Sequence, residues 1–162
     1  MADITTATPA DEEAIVGLLH DVDRFYGATE LDPADLIAAN VRDALFGATS
    51  YACVLIARVG GEAVGFAAYS YLWPAAGSTR SLFLKELYVV EAHRSTGVGR
   101  ELMAALCEAA EKTGCTRVEW QTDDYNGGSQ RFYANLGVPV HAGKVFYRIG
   151  ADDIARIARE RA

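Results

Sequence analysis

One stretch decides the fold: LKELYVVEAHRSTGVGR, residues 84–100. It begins as an apolar strand, passes through a short loop and ends in a turn that contains Gly97 and Gly99. The turn opens directly into a helical pattern of apolar residues, Leu102, Met103, Leu106 and Ala109. Backbone N–H groups at a helix start lack partners within the helix and carry partial positive charge, so they can bind phosphate. The stretch therefore predicts an anion cradle between a strand and a helix.

Two commoner phosphate-binding loops do not fit this turn. A dinucleotide-binding turn would need a third glycine at Leu102, and a Walker loop would need Gly-Lys-Ser/Thr where residues 99–101 read Gly-Arg-Glu. The pattern that fits is Arg-x-x-Gly-x-Gly, from Arg94 to Gly99. In this pattern the chain resembles the GNAT superfamily of acyl-CoA-dependent N-acetyltransferases, whose signature is Gln/Arg-x-x-Gly-x-Gly/Ala.

A second motif lies downstream in NGGSQRFYANLG, residues 126–137. It resembles the later helix of the same family, in which an Asn near the start is followed by a Tyr one turn before a closing Leu-Gly. Here these residues are Asn126 and Tyr133, and Gly137 is the expected helix stop. Two motifs in the right order strengthen the resemblance.

The 162 residues fit one domain, so we predict a single N-acetyltransferase domain over 1–162. The resemblance implies the α/β GNAT fold, a mixed and mostly antiparallel sheet with a central parallel βαβ pair flanked by helices. The local pattern predicts strands at 4–6, 51–59, 63–71, 82–90, 116–121 and 144–149, and helices at 9–26, 33–45, 98–112, 126–136 and 151–162. Thr8 and Asp32 are the expected caps of the first two helices, and Gly60-Gly61 predicts a tight hairpin.

Composition narrows the choice of partners. A net charge of −7 argues against nucleic acid and suits a cationic substrate. No apolar run approaches the roughly 20 residues of a membrane span, and the first residues lack the basic and apolar regions of a secretion signal, which favours a cytoplasmic protein. We expect Cys53, Cys107 and Cys115 to be reduced core residues, and we expect no metal site.

The resemblance implies acetyl-CoA as the acyl donor and assigns its contacts. The main-chain amides of the turn would bind the pyrophosphate, and the end of the preceding strand would hydrogen-bond pantetheine and polarise the acetyl carbonyl. The turn residues are Ser95, Thr96, Gly97, Val98, Gly99 and Arg100, and the strand residues are Tyr88, Val89 and Val90. Arg94 and Arg100 would add positive charge, or they would pair with Glu91 or Glu101 on the surface.

Two residues are candidates for proton transfer. Tyr133 matches the family position of a phenol that protonates the departing thiolate, although packing beside Phe132 is the structural alternative. Asn126 would cap its helix, contact the cofactor, or do both. Glu86, on the strand that carries the acetyl site, is the expected general base, and a structural carboxylate paired with Lys or Arg is the equal alternative.

Three stretches carry a closer resemblance: VGFAAY at 64–69, the run from Leu84 to Arg94, and the late segment from Asn126 to Tyr133. Within the superfamily they most resemble the spermidine/spermine N-acetyltransferase branch. That branch usually has two adjacent acids in this strand, whereas here the pair reads Lys85-Glu86. Strand alternation would place the two side chains on opposite faces, and a lysine facing the amine pocket would repel a polyamine. Further candidates for the acceptor pocket are Asp23, Phe25, Tyr26, Glu30, Tyr71, Trp73, Asp123, Asp124 and Tyr125.

Together these features predict an acetyl-CoA-dependent N-acetyltransferase that moves an acetyl group to a primary amine of a small molecule by direct attack in a ternary complex. The alternatives are a protein lysine or N-terminal acetyltransferase and a non-catalytic acyl-CoA-binding module. The apolar face of Ile154, Ile157 and Ala158, with the pairing common in the resembling branch, predicts a homodimer near the C-terminal strand and tail.

Overall fold

The computed structural model describes residues 1–160, and they form two compact units, one from Met1 to Asp123 and the other from Asp124 onward. The first unit contains β1 (Asp3–Thr6), α1 (Glu12–Phe25), α2 (Ala34–Val41), β2 (Cys53–Val59), β3 (Glu62–Leu72), β4 (Arg80–Val89), α3 (Val98–Lys112) and β5 (Cys115–Trp120). The second unit contains α4 (Gly127–Asn135) and α5 (Ala151–Arg159).

The five strands form one mixed sheet in the order β1-β2-β3-β4-β5. The pairs from β1 to β4 are antiparallel, and β4 and β5 are parallel with α3 as their crossover. The predicted fold class is confirmed, and the hairpin at Gly60-Gly61 joins β2 to β3 as expected.

Helices cover both faces of this sheet. On one face α1 and α2 pack against alternate strand residues, including Val54, Ile56 and Phe66. The intervening residues, such as Leu55 and Ala67, are buried on the other face, where α3 contacts the strands. The buried stripe of α3 has the helical spacing of an amphipathic helix: Val98, Leu102, Met103, Leu106 and Ala110.

Where the first helix was predicted to begin, Thr8 caps a 3-10 turn, Pro9–Asp11, and α1 follows from Glu12, so the Thr8 cap is confirmed for the turn and not for α1. Thr8 and Asp11 form a capping box in which the Asp11 carboxylate accepts from the Thr8 N–H at 2.7 Å, and Arg58 pairs with the same carboxylate. These hydrogen bonds, led by the one from the Thr8 backbone, hold the pKa of Asp11 below its ordinary value. The prediction that Asp32 caps α2 is wrong, because Pro33 occupies the cap position and no side chain caps the helix. After α2 the chain continues as a π-helical turn, Arg42–Phe46.

In the second unit the predicted helices are present within the described residues, and the predicted strand at 144–149 is not. That segment is irregular and exposed, with Val145, Phe146, Tyr147 and Ile149 each more than half accessible to solvent. Its alternating residues favour a strand, but a strand also needs a neighbouring chain for its backbone hydrogen bonds, and no described strand pairs with it. None of the described helices is long and apolar enough to cross a membrane.

Candidate active site

The turn between β4 and α3 has the geometry of an anion cradle. A 3-10 turn, Glu91–His93, follows β4, and the Thr96 hydroxyl donates to the His93 carbonyl at 2.7 Å. Gly97 is the N-cap of α3 at a φ of 103°, a left-handed conformation that favours glycine because it has no Cβ. The Glu101 N–H bonds the Gly97 carbonyl at 3.0 Å, so N–H groups of the first helical turn point out of the helix end.

Beside this turn β4 and β5 separate after the pair Leu84–Trp120, and we call this point, together with the open edge of residues 85–89, the fork. β5 ends at Trp120, which lies opposite Leu84, whereas β4 continues to Val89. On the β3 side the pairing continues, with Val89 opposite Gly65 and the Val90 N–H bonded to the Val64 carbonyl at 2.9 Å. On the β5 side residues 85–89 have no strand partner among the described residues. The Val89 carbonyl accepts from the Arg94 Nε, and the other backbone groups on this side can meet a ligand. The sequence-predicted contacts Tyr88 and Val89 lie on this edge.

Gly65 fixes the position of this edge, a role that was not predicted from the sequence. A Cβ added to Gly65 would lie 2.7 Å from the Tyr88 carbonyl oxygen and 3.3 Å from the Val89 Cα. Only a glycine therefore allows β3 to approach the end of β4 this closely. The available signal was an isolated glycine within a strand pattern, which often marks a close backbone approach.

A β-bulge at Lys85 changes the direction of the next side chain. Leu84 pairs with Tyr69 and Glu86 pairs with the adjacent Ala68, so Lys85 is the extra residue. The bulge interrupts the regular alternation of β4 at this point, and the prediction that Lys85 and Glu86 lie on opposite faces stays a prediction. After the bulge, Glu86 is on the same face as Ala68, which packs against the core under α1 and α2. The bulge thus turns the carboxylate towards those two helices.

The surroundings of Glu86 favour its protonated form. Burial raises the pKa of the Glu86 carboxyl, the positive charge of Lys85 opposes that shift, and the negative charge of Asp123 adds to it. The net result is a pKa above the ordinary value of 4.5. None of the ion pairs found within the described residues includes Glu86. A half-buried carboxylate with a raised pKa and no such pair has the properties of a general base.

Arg94 links the turn to the end of α1. Its Nε donates to the Val89 carbonyl at 3.0 Å, and its guanidinium lies 4.8 Å from the centre of the Phe25 ring and 5.7 Å from that of Tyr88. The Phe25 and Tyr88 rings are themselves 6.3 Å apart. The cation–π contacts bring the end of α1 beside the fork, and a role of Phe25 in the acceptor pocket stays a prediction.

The other predicted pocket residues lie in different places. Asp123 follows β5, and its negative charge is close enough to raise the pKa of the Glu86 carboxyl. Tyr71 pairs with Leu82, and Trp73 lies in the loop beyond it, at the end of the β3–β4 hairpin opposite to the Gly65–Val89 pair. Tyr71 and Trp73 therefore do not belong to the fork. Tyr26 contacts Phe25 at the end of α1, with ring centres 5.3 Å apart. Asp23 and Glu30 are exposed near that end, and Asp124 and Tyr125 belong to the second unit.

In the second unit, Asn126 and Tyr133 are at the two ends of α4. The Asn126 side chain accepts from the Ser129 N–H at 3.0 Å, so its predicted role as a helix cap is confirmed. Tyr133 is half-buried, and its ring lies 5.2 Å from that of Phe132. Contacts of either residue with a cofactor stay predictions.

Among the described residues, the cysteines and other potential metal ligands form no recognisable centre. No group of three or more His, Cys, Asp or Glu side chains suited to a metal occurs in residues 1–160. All three cysteines are free thiols, but Cys107 is exposed on α3, so the prediction that it lies in the core is wrong. The small apolar neighbours of Cys107 in the sequence do not distinguish the covered face of α3 from its solvent face.

Comparison with protein families and curated proteins gives a consistent result. The profile of the Acetyltransferase (GNAT) family matches residues 16–138. The D-amino-acid N-acetyltransferase HPA3 of Saccharomyces cerevisiae is 34% identical over 88 residues, which are 54% of this chain and 53% of that protein. A human spermidine/spermine N(1)-acetyltransferase-like protein is 28% identical over 114 residues, 66% of this chain and 16% of that protein. The chain thus spans about half the length, or less, of these relatives.

Solved structures share the fold over nearly the whole chain. An integron cassette protein of V. cholerae superposes with a TM-score of 0.90 at 23% identity, covering 98% of both chains. An aminoglycoside N-acetyltransferase, AAC(6')-Iy, solved in complex with CoA, superposes with a TM-score of 0.75 at 26% identity, covering 92% of this chain and 95% of the other.

Proposed function

Because the chain belongs to the GNAT family of acetyltransferases, we propose that it transfers the acetyl group of acetyl-CoA to a primary amine of a small molecule. The observation that carries this proposal is the fork, in which the open edge of residues 85–89 stands beside the N-terminus of α3. The open edge offers backbone groups to an extended amide chain. The N-terminus of α3 offers N–H groups to phosphate. We further propose that residues 1–162 act as one N-acetyltransferase domain.

The residues around the fork fit acetyl-CoA, which supplies the activated acyl group when bound. The amides of Ser95 to Arg100 would hold the pyrophosphate, with positive charge from Arg94 and Arg100. The backbone of Tyr88, Val89 and Val90 would hold the pantetheine arm. A side chain at position 97 would be strained at the observed φ of 103°, so the glycine there keeps the cradle open. The solved relative with bound CoA supports this use of the fold.

Glu86 would act as the general base. An ammonium group must lose a proton before its lone pair can attack a thioester, and a carboxylate with a raised pKa accepts that proton more readily than an ordinary one. Direct attack is favoured over an acyl-cysteine because the three thiols belong to β2, α3 and β5, and none is in β4 or the turn. Tyr133 would be the general acid that protonates the departing thiolate, and Asn126 would contact the cofactor; both roles rest on the family resemblance.

Thermal unfolding with acetyl-CoA tests the cradle. A ligand that binds only the native state stabilises it by about 2.7 kcal/mol at 100 times its Kd, so saturating acetyl-CoA should raise the Tm. The variant Gly99→Glu places negative charge at the start of α3 and should lose the shift while the unliganded protein still unfolds cooperatively. Absence of any shift in the wild-type protein would contradict the proposal.

A panel of amines then tests turnover. CoA release from acetyl-CoA should be stimulated by at least one small amine among polyamines, amino acids and aminoglycosides. Stimulation by peptides alone would favour a protein lysine or N-terminal acetyltransferase. A cofactor-dependent Tm shift without stimulation by any amine would favour a non-catalytic acyl-CoA-binding module.

We also propose that the protein is a homodimer in the cytoplasm. The second unit exposes several large apolar side chains, and monomeric proteins rarely expose many together. These are Val140, Val145, Phe146, Tyr147, Ile149, Ile154 and Ile157. Pairing two copies through this unit would remove the side chains from water. The free thiols support a reducing compartment.

A further inference from the structure

We infer that Lys85 determines acceptor specificity by binding an anionic group of the substrate, so that the preferred acceptor is a primary amine that also carries a carboxylate, such as an amino acid. This inference rests on the proposed acetyltransferase function and names the substrate class of the same site. It depends on the position of Lys85, on the charges around it and on the absence of an ion pair between Lys85 and any residue of 1–160.

The backbone puts Lys85 at the point where the fork opens. Leu84 is the last residue of β4 with a partner on β5, and Lys85 is the next residue. Lys85 is also the extra residue of the bulge, and bulges often redirect a side chain next to an active site. Its side chain is exposed, whereas that of the adjacent Glu86 is half-buried. Because the Lys85 charge acts on the Glu86 carboxyl, a substrate amine that approaches Glu86 also comes within range of the Lys85 ammonium.

The charges at this point have opposite signs. Glu86 comes from β4, Asp123 follows the end of β5, and both Lys85 and Asp123 are close enough for their charges to act on Glu86. A zwitterion complements this arrangement, because its ammonium group can face the two carboxylates while its carboxylate faces the lysine. A polyamine carries only positive charges, so the same lysine would repel it.

The Lys85 ammonium remains available for such a contact. No carboxylate oxygen of the described residues lies within 4.0 Å of its nitrogen, so its three donors are not committed to an ion pair. A different role is conceivable on general grounds, because exposed lysines on open strand edges also discourage pairing between sheets. That role predicts self-association when the charge is lost, but it predicts no change in the choice between substrates.

Matched acceptors that differ only in a carboxylate test the inference: lysine against cadaverine, and ornithine against putrescine. The measured quantity is the ratio of kcat/KM for the amino acid to kcat/KM for the corresponding diamine. The wild-type protein should favour the amino acid. A hydrogen bond to a charged group contributes about 1.5 to 3 kcal/mol, so Lys85→Gln should lower the ratio by about 10- to 100-fold. Lys85→Glu should reverse the preference towards the diamine.

Two controls separate specificity from damage to the fold. Lys112→Gln removes an exposed lysine at the end of α3, remote from the fork, and should leave the ratio unchanged. The acetyl-CoA-dependent Tm shift should be the same in all of these variants. Preference of the wild-type protein for diamines, or an unchanged ratio in Lys85→Gln, would overturn the inference and leave the acetyltransferase proposal standing. Absence of turnover with every acceptor would overturn both.

Discussion

The close approach of β3 to the end of β4 makes Gly65 a sensitive test of the proposed site. In Gly65→Ala the new methyl group would lie 2.7 Å from the Tyr88 carbonyl oxygen, and contacts under 3.0 Å force a neighbour to move. The atoms it meets are the backbone of Tyr88 and Val89 and one methyl of Val89, which cannot rotate away as a long side chain would. The end of β4 must therefore shift, and it carries the edge that we assign to the cofactor.

The expected effects follow from this shift. Inserting a methyl group into a packed site costs about 1 to 3 kcal/mol, and each kcal/mol lowers the Tm of a chain of this size by about 2 to 4 °C. A displacement of about 1 Å at a reacting centre can cost about 100-fold in rate. Relief of the clash needs a fraction of that movement, so we expect kcat/KM for acetyl-CoA to fall by about 10-fold.

A matched variant separates lost stability from lost geometry. In Gly47→Ala the added Cβ would lie 2.8 Å from the Asp43 carbonyl oxygen, a clash of similar severity at the end of the π-helical turn and outside β4. Both variants should unfold at lower temperature, and only Gly65→Ala should lose activity when the two are assayed well below their Tm. Wild-type kcat/KM in Gly65→Ala, or equal losses in the two variants, would refute the assignment of the β4 edge.

Three further experiments address the catalytic groups and the assembly. Tyr133→Phe removes a proton donor and keeps the ring, so turnover should fall by about 10²- to 10⁴-fold while the Tm shift caused by acetyl-CoA persists. If turnover and the Tm shift are both lost, the hydroxyl supports binding or folding. Because the pKa of Glu86 is raised in the folded protein, its contribution to stability is present below pH 4.5 and is lost as the pH rises through the folded pKa. Glu86→Gln should therefore raise the Tm at neutral pH and leave the Tm unchanged below pH 4.5. The same variant should lower kcat/KM, and an unchanged kcat/KM would exclude Glu86 as the base. Solution scattering at micromolar concentration should give the mass of two chains, and a monomeric mass would contradict the dimer.

Features set by local backbone chemistry were predictable from the sequence. Both ends of α3 agree with the prediction, because Gly97 and Gly114 adopt the left-handed conformations that begin and end the helix. The Asn126 cap of α4 depends on one side chain and an N–H three residues later, and it was also found. These signals need no knowledge of distant residues.

Features that depend on distant pairing were not predictable in the same way. The bulge at Lys85 appears only when the register of β4 against β3 is known, whereas the sequence alone suggests regular alternation at Lys85 and Glu86. The segment 144–149 has strand-forming residues, but its conformation depends on whether a neighbouring chain pairs with it. The raised pKa of Glu86 likewise depends on burial and on Asp123, which is 37 positions further along the chain.

The fork itself arises from a difference in strand length that the sequence does contain. β5 has six residues and starts opposite the beginning of β4, which has ten. After Trp120 the chain reads QTDDYNGG, and Asp, Asn and Gly are unfavourable in strands, so β5 cannot continue beside residues 85–89. The same residues bring Asp123 to the point where the strands separate. An early end to one strand therefore provides both the open edge proposed for the cofactor and the second carboxylate near Glu86.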